Sequence, residues 1–162
     1  MWLLIAAAMA VPVDRADLPP PVTVPEGRTT GEYVEFLRGP KPYTRFTVHG
    51  TSSSTVDGID SFTCYDTPVM RFAPFFRSIA ADAPAHPDAD FGSPEIKKFY
   101  ASALLAPKAC NASASTHGGV IRVTFSYNEY CLPNYSRRYI SFQVTPADLT
   151  RMAEILEEYA AK

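Results

Sequence analysis

Two stretches in the C-terminal third of the chain alternate apolar and polar residues with a period of two. From Val120 to Tyr127, Ile121, Val123, Phe125 and Tyr127 alternate with Arg122, Thr124 and Ser126; from Tyr139 to Thr145, Ile140, Phe142 and Val144 alternate with Ser141 and Gln143. Successive side chains of a strand point to opposite faces, so each stretch buries one face and wets the other. The two are expected to pair antiparallel. Beyond them the period lengthens. Leu149, Met152, Ala153, Leu156, Tyr159 and Ala160 share one helical stripe, with Arg151, Glu154, Glu157 and Glu158 mainly outside it and Asp148 near the positive end. This last helix should cover the sheet.

Earlier in the chain, Tyr43 to Val48 sets Phe46 and Val48 against Arg45 and Thr47, and Ser61 to Tyr65 returns after a Gly- and Ser-rich loop, which predicts a hairpin with a long connection. Glu32 to Arg38 satisfies both periods, and is read as a short helix. Thr67-Pro68, Ser93-Pro94 and Thr145-Pro146 each offer a hydroxyl cap followed by proline at the first helical position, so each predicts a helix start. After Thr67, the stripe Phe72, Phe75, Phe76 and Ile79 is interrupted by Pro74, expected to kink or restart the helix. After Ser93, Ile96, Phe99, Tyr100, Ala103 and Leu104 form a second stripe, and Ala83 to Gly92 reads as a turn-rich connector between the two helices. No internal repeat is visible. The elements sum to an α+β class: a small antiparallel sheet of about four strands with helices packed on one face.

The N-terminal residues carry information of another kind. Trp2 to Ile5 open an apolar run ending in Ala8-Met9-Ala10, the small-x-small pattern of a signal-peptidase site, although no Lys or Arg precedes it. Residues 1–10 are therefore read as a signal peptide, 11–28 as a proline-rich linker containing Pro12, Pro19, Pro20, Pro21 and Pro25, and 29–162 as one α+β domain. The expected location is periplasmic or secreted. The apolar run is too short to span a bilayer, and no later segment is apolar enough, so no stable membrane span is expected. Of 162 residues, 46% are hydrophobic and 20% charged, with a net charge of −2, which supports a real core and gives no electrostatic reason to expect nucleic acid as partner.

Three cysteines fit an oxidising compartment, where one pair bonds and one thiol is left over. Cys64 shares a strand face with Phe62 and reads as a buried thiol, which leaves Cys110 and Cys131, at segment ends, as the expected disulfide. A cytosolic chain with three reduced cysteines is the competing reading. No CxxC, G-x-S-x-G, phosphate-binding loop or dinucleotide fingerprint occurs, so no cofactor and no metal are expected.

Reactive groups are few. His117 precedes Gly118-Gly119 in what reads as a flexible loop, where a general base could sit. His86, Asp88 and Asp90 offer ligand types for calcium without the other positions of a full binding loop. Asn111-Ala112-Ser113 and Asn134-Tyr135-Ser136 match glycosylation acceptors. The densest recognition chemistry lies at a hairpin tip, where Tyr130, Tyr135, Arg137 and Arg138 join Tyr127 and Tyr139; Tyr and Arg favour interfaces, and the arginines suit an acidic partner. The same tip also reads as an ordinary solvated loop. The expectation is an exported domain acting by binding, with an unknown protein or small acidic ligand as partner. The alternative is a small secreted hydrolase using His117 as base. Processing should follow Ala10, leaving Val11 as the first residue of the mature chain; intact-mass measurement on protein from the envelope or medium would reject this if the Met1-Trp2 end persisted.

Overall fold

The computed structural model describes residues 19–38, 44–51, 59–65, 69–92, 108–131 and 134–161. The strands are β1 (Val22–Val24), β2 (Tyr33–Arg38), β3 (Thr44–Thr51), β4 (Ile59–Tyr65), β5 (Ala89–Gly92), β6 (Lys108–His117), β7 (Val120–Cys131) and β8 (Asn134–Val144). The helices are α1 (Val69–Asp82) and α2 (Pro146–Ala161), with a short 3-10 turn at Ala83–Ala85. Two four-stranded antiparallel meanders result, in the orders β1-β2-β3-β4 and β5-β6-β7-β8. Among the described elements, four strands followed by a helix thus occur twice, in a chain whose sequence shows no repeat. The class is α+β, with more strand than expected and two sheets where one was read.

The extra strands have physical reasons for having been overlooked. Glu32 to Arg38 is a strand and not a helix, because Val34 and Phe36 are wholly buried opposite Val48 and Phe46, whereas Leu37, which had suggested helical spacing, is only half-buried. The stretch read as linker contributes β1: Val24 pairs with Val34 and is 2% exposed, which outweighs the surrounding prolines. β6 buries Cys110, Ala112 and Ala114, so its inward residues are too small for the alternation to stand out. The connector after α1 includes β5.

Pro74 does not break α1, which runs through it. Pro74 is exposed, and its missing N–H with its ring clash costs about 3 kcal/mol. Burial of Phe72, Phe75, Phe76 and Ile79 on the other side returns about 1.5 to 3 kcal/mol for each side chain, so the packed face prevails. α1 and α2 pack against each other. On their solvent side Arg77 forms a bidentate pair with Glu157, donating from Nη2 at 2.7 Å, and this hydrogen bond holds the Glu157 carboxyl below its usual range. The helix expected after Ser93 lies outside the described residues. Among those described, no helix is long and apolar enough to cross a membrane.

One core cluster runs through both sheets and both helices. Between the sheets, β3 meets β8 at Gly50, where a Cβ would stand 2.7 Å from Ile140 Cγ2 and 3.0 Å from Glu32 Cγ. A side chain there would force Ile140 or Glu32 to shift.

The disulfide joins Cys64 of β4 to Cys110 of β6, with Cα atoms 5.8 Å apart, correcting the expected Cys110 to Cys131 pair. Register excludes that pair. Cys110 faces Tyr127 across β6 and β7, and Cys131 lies four residues farther along, about 13 Å in an extended strand, against a Cα limit of about 7 Å. Cys64 is indeed buried, but its face abuts the other sheet. Closing a loop of 46 residues is worth up to about 4 kcal/mol by loop entropy. Reduction is therefore expected to destabilise the oxidised chain by about 2 to 4 kcal/mol in denaturant titrations. Non-reducing peptide mapping should link the Cys64 and Cys110 peptides; recovery of a Cys110 to Cys131 link would overturn the pairing.

Candidate functional site

The residues expected to form the interaction tip lie at the distal end of the β7–β8 hairpin. Tyr130 pairs with Tyr135, Asn128 with Arg137 and Tyr127 with Arg138. The side chains of Tyr130, Tyr135 and Arg137 lie outside the described ones. Arg138 is half-buried, and its register partner Tyr127 packs against the core, so Arg138 is one position out of phase with Arg137.

His117 is not in a flexible loop. It ends β6, and Gly118 and Gly119, with φ of 56° and 79°, make a two-residue turn that returns the chain to Val120. Positive φ at both central residues matches the twist of the flanking strands, and glycine adopts it without strain. His117 Nδ1 lies 3.4 Å from Asp88 Oδ1, but both side chains are exposed. The same Asp88 oxygen accepts from Gly118 N at 2.9 Å, and Asp90 Oδ1 accepts from Gly92 N at 2.8 Å. Thr116 is 5% exposed; its Oγ1 donates to His86 O and accepts from Ala89 N at 2.9 Å. The carboxylates that suggested calcium are thus turn-forming acceptors. Among the described residues, no three His, Cys, Asp or Glu side chains gather as a metal site requires.

Beside the β6–β7 turn the chain forms a groove of about 860 Å³, within the size range of ligand sites. It is walled by the β1–β2 loop (Pro25, Arg28, Glu32), the 3-10 turn (Ala83, Pro84), the first residues of β7, and the end of β8 with the start of α2. Each wall is fixed locally. The β1–β2 loop closes on itself through Arg28 N to Pro25 O at 3.2 Å and Arg28 Nη1 to Glu32 O at 3.1 Å. Gly119 N donates to Pro87 O at 3.0 Å, tying the β6–β7 turn to the segment after α1. At the start of α2, Thr145 Oγ1 accepts from Asp148 N at 3.1 Å while Thr145 N donates to Asp148 Oδ2 at 2.9 Å, a reciprocal cap.

The groove's chemistry is mixed. Pro25, Pro84 and Pro146 give apolar walls, and Val120, 46% exposed, is the exposed large hydrophobic side chain among the described residues. Arg28 spends one nitrogen on Glu32 O, and Arg122 makes one long contact, Nη1 to Ser141 O at 3.5 Å. A guanidinium carries five N–H donors, so both retain donors for a ligand. Asp148 is engaged in the cap beside the positive end of α2, leaving Glu32 as the groove's other carboxylate. No candidate site residue read from the sequence lines this groove. The available signal was Arg122, the one charge on the strand face it shares with Val120, Thr124 and Ser126.

A smaller cleft, about 510 Å³, is lined by Thr29, Thr30, Gly31, Tyr33, His49, Gly50 and Ser61. There Tyr33 stacks on His49 with ring centroids 4.4 Å apart, and His49 Nε2, 4.0 Å from Glu35 Oε1, has no hydrogen-bond partner.

No family model matches this chain, and no curated protein does. Among solved structures, the crystal structures of Trypanosoma bruciei MRP1/MRP2 are similar at a TM-score of 0.42 and 11% identity, covering 90% of this chain and 86% of that one. A likeness of that size supports no statement about function.

The turn role of Asp88 separates it from His117. Asp88→Ala should cost about 1 kcal/mol by removing the acceptor of Gly118 N, and His117→Ala should lie within about 0.5 kcal/mol of the parent. Equal losses in thermal or denaturant unfolding would instead mean that the His117–Asp88 contact holds the turn.

Proposed function

We propose that the chain is an exported binding module that holds an acidic ligand in the groove between the β1–β2 loop and the β7–β8 hairpin. The observation carrying this reading is the convergence, in one groove, of the exposed Val120, three proline walls and two guanidiniums with N–H donors unspent. An apolar floor with a few convergent polar groups is the usual character of a ligand site, and arginine suits carboxylates. The apolar Met1 to Ala10 run and the Cys64–Cys110 disulfide support export to an oxidising compartment. The catalytic alternative has less support, since His117 does not line the groove and its side chain is fully exposed, and Asp88 is engaged in the turn.

Titration with citrate and with a glutamate-rich peptide, followed by amide NMR, tests this. Shifts should concentrate at Gly119 to Arg122 and Ser141 to Val144. Arg122→Ala should weaken binding about tenfold, the size of a lost charge-assisted hydrogen bond, with the melting temperature nearly unchanged. Arg137→Ala, at the distal tip, should leave affinity unchanged. The reverse result would place the interaction surface at the tip and remove the groove reading.

A further inference from the structure

An antiparallel sheet ends in strands whose outer N–H and C=O groups are unpaired, and proteins blunt such edges with short strands, bulges, prolines or charges. The two sheets have four terminal strands, β1, β4, β5 and β8. β1 has three residues and is followed by Pro25. β5 has four, carries Asp90, and has a register irregularity between Asp90 and Gly92. β4 carries Asp60 and is tied to the other sheet through Cys64. β8 is the longest of the four. It has 11 residues; Arg137 and Arg138 fall in the first part of its sequence, and its second half, Ile140-Ser141-Phe142-Gln143-Val144, has no charge and no proline.

This unguarded half faces the groove. β3 meets β8 at Gly50 against Ile140, the residue before the groove-lining stretch. Ser141, Phe142, Gln143 and Val144 all line the groove, with Arg122 beside them and Arg28 on the opposite wall. Four extended residues span about 13 Å, room for a peptide strand of similar length. Strand addition at a sheet edge takes its affinity from main-chain hydrogen bonds and its specificity from side-chain contacts. Here those contacts are Val120 for an apolar residue and the two guanidiniums for a carboxylate.

We propose that the ligand is an extended acidic peptide segment that adds as a further strand along Ser141–Val144 of β8, its carboxylate met by Arg122 or Arg28. The inference rests on the groove reading of the preceding subsection and names its ligand class.

The test uses the oxidised full-length chain and the blocked pentapeptide acetyl-Glu-Val-Glu-Val-Glu-amide. Two derivatives are N-methylated, one at odd and one at even amides. A strand paired at one edge uses alternate amides, so one derivative should lose at least about tenfold in affinity while the other binds nearly as the parent. The parent should also shift the amides of Ser141 to Val144. Equal binding by parent and both derivatives, or citrate binding at the same amides as tightly as the peptide, would overturn strand addition and leave the groove reading standing. Concentration-dependent dimerisation blocked by the peptide would assign the edge to a second copy of this chain and also overturn the proposal. If neither peptide nor citrate binds, the groove reading falls, and this inference with it.

Discussion

The contact between Phe46 and Phe125 is the constraint on which the rest of the molecule depends. Phe46 belongs to β3 and Phe125 to β7, so their rings, 6.0 Å apart at 66°, join the two sheets at their centres. α1 completes the cluster from outside: Phe72 packs edge-on to Phe46 at 5.5 Å and Phe76 edge-on to Phe125 at 6.1 Å. Each such pair adds about 0.5 to 1.5 kcal/mol beyond the area it buries. Because rings from three elements interlock, neither sheet can slide on the other without breaking several contacts at once. Removing the ring at position 46 would take one ring partner from each of Phe36, Phe72 and Phe125.

Away from that centre, other devices hold the halves in place. Gly50 lets β3 approach β8 closely, and the Cys64–Cys110 disulfide ties the edge strand β4 to β6, where direct contacts between the sheets are sparse. At the other side, Arg38 lies over the ring of Tyr159 at 5.9 Å, and burial pushes the Tyr159 phenol above its usual pKa. The aromatic core ends toward the groove. Phe142 stacks on Phe125, and beyond it β8 offers Gln143 and Val144 before the chain turns at Thr145 into α2. The groove is where ring packing gives way to three chain reversals.

How much of this was legible in the sequence varied with the size of the inward side chains. β7, β8 and α2 were read because Ile121, Val123, Phe125, Ile140, Phe142, Leu149, Met152 and Leu156 alternate or recur with strong contrast, and all are buried. β6 was missed because Ala112 and Ala114 face inward against outward Ser113 and Ser115, a contrast of one methyl against one hydroxyl. β2 was misassigned because a single residue, Leu37, satisfied helical spacing while lying outside the core. The disulfide was misassigned because strand faces can be read locally, but which face of one sheet meets which strand of the other cannot. The groove was illegible for the same reason: Arg28, Val120, Arg122 and Gln143 are brought together by the meeting of two meanders, and no spacing in the chain announces that.

A binding surface built this way has a particular economy. The groove's walls are chain reversals, and each is held by hydrogen bonds of its own: Arg28 across the β1–β2 loop, Gly119 N to Pro87 O at the β6–β7 turn, and the Thr145 cap at the head of α2. Their backbone is therefore ordered before any ligand arrives, so binding does not have to supply the entropy of ordering a loop. Among the side chains facing the groove, Val120, Arg122 and Gln143 contribute little to the fold, since they lie outside the buried core. Such positions can be altered at small cost in stability. Rigidity thus resides in the turns and their caps, and recognition in side chains that the core does not need. That division allows the groove's chemistry to change while Phe46 and Phe125 keep the two sheets where they are.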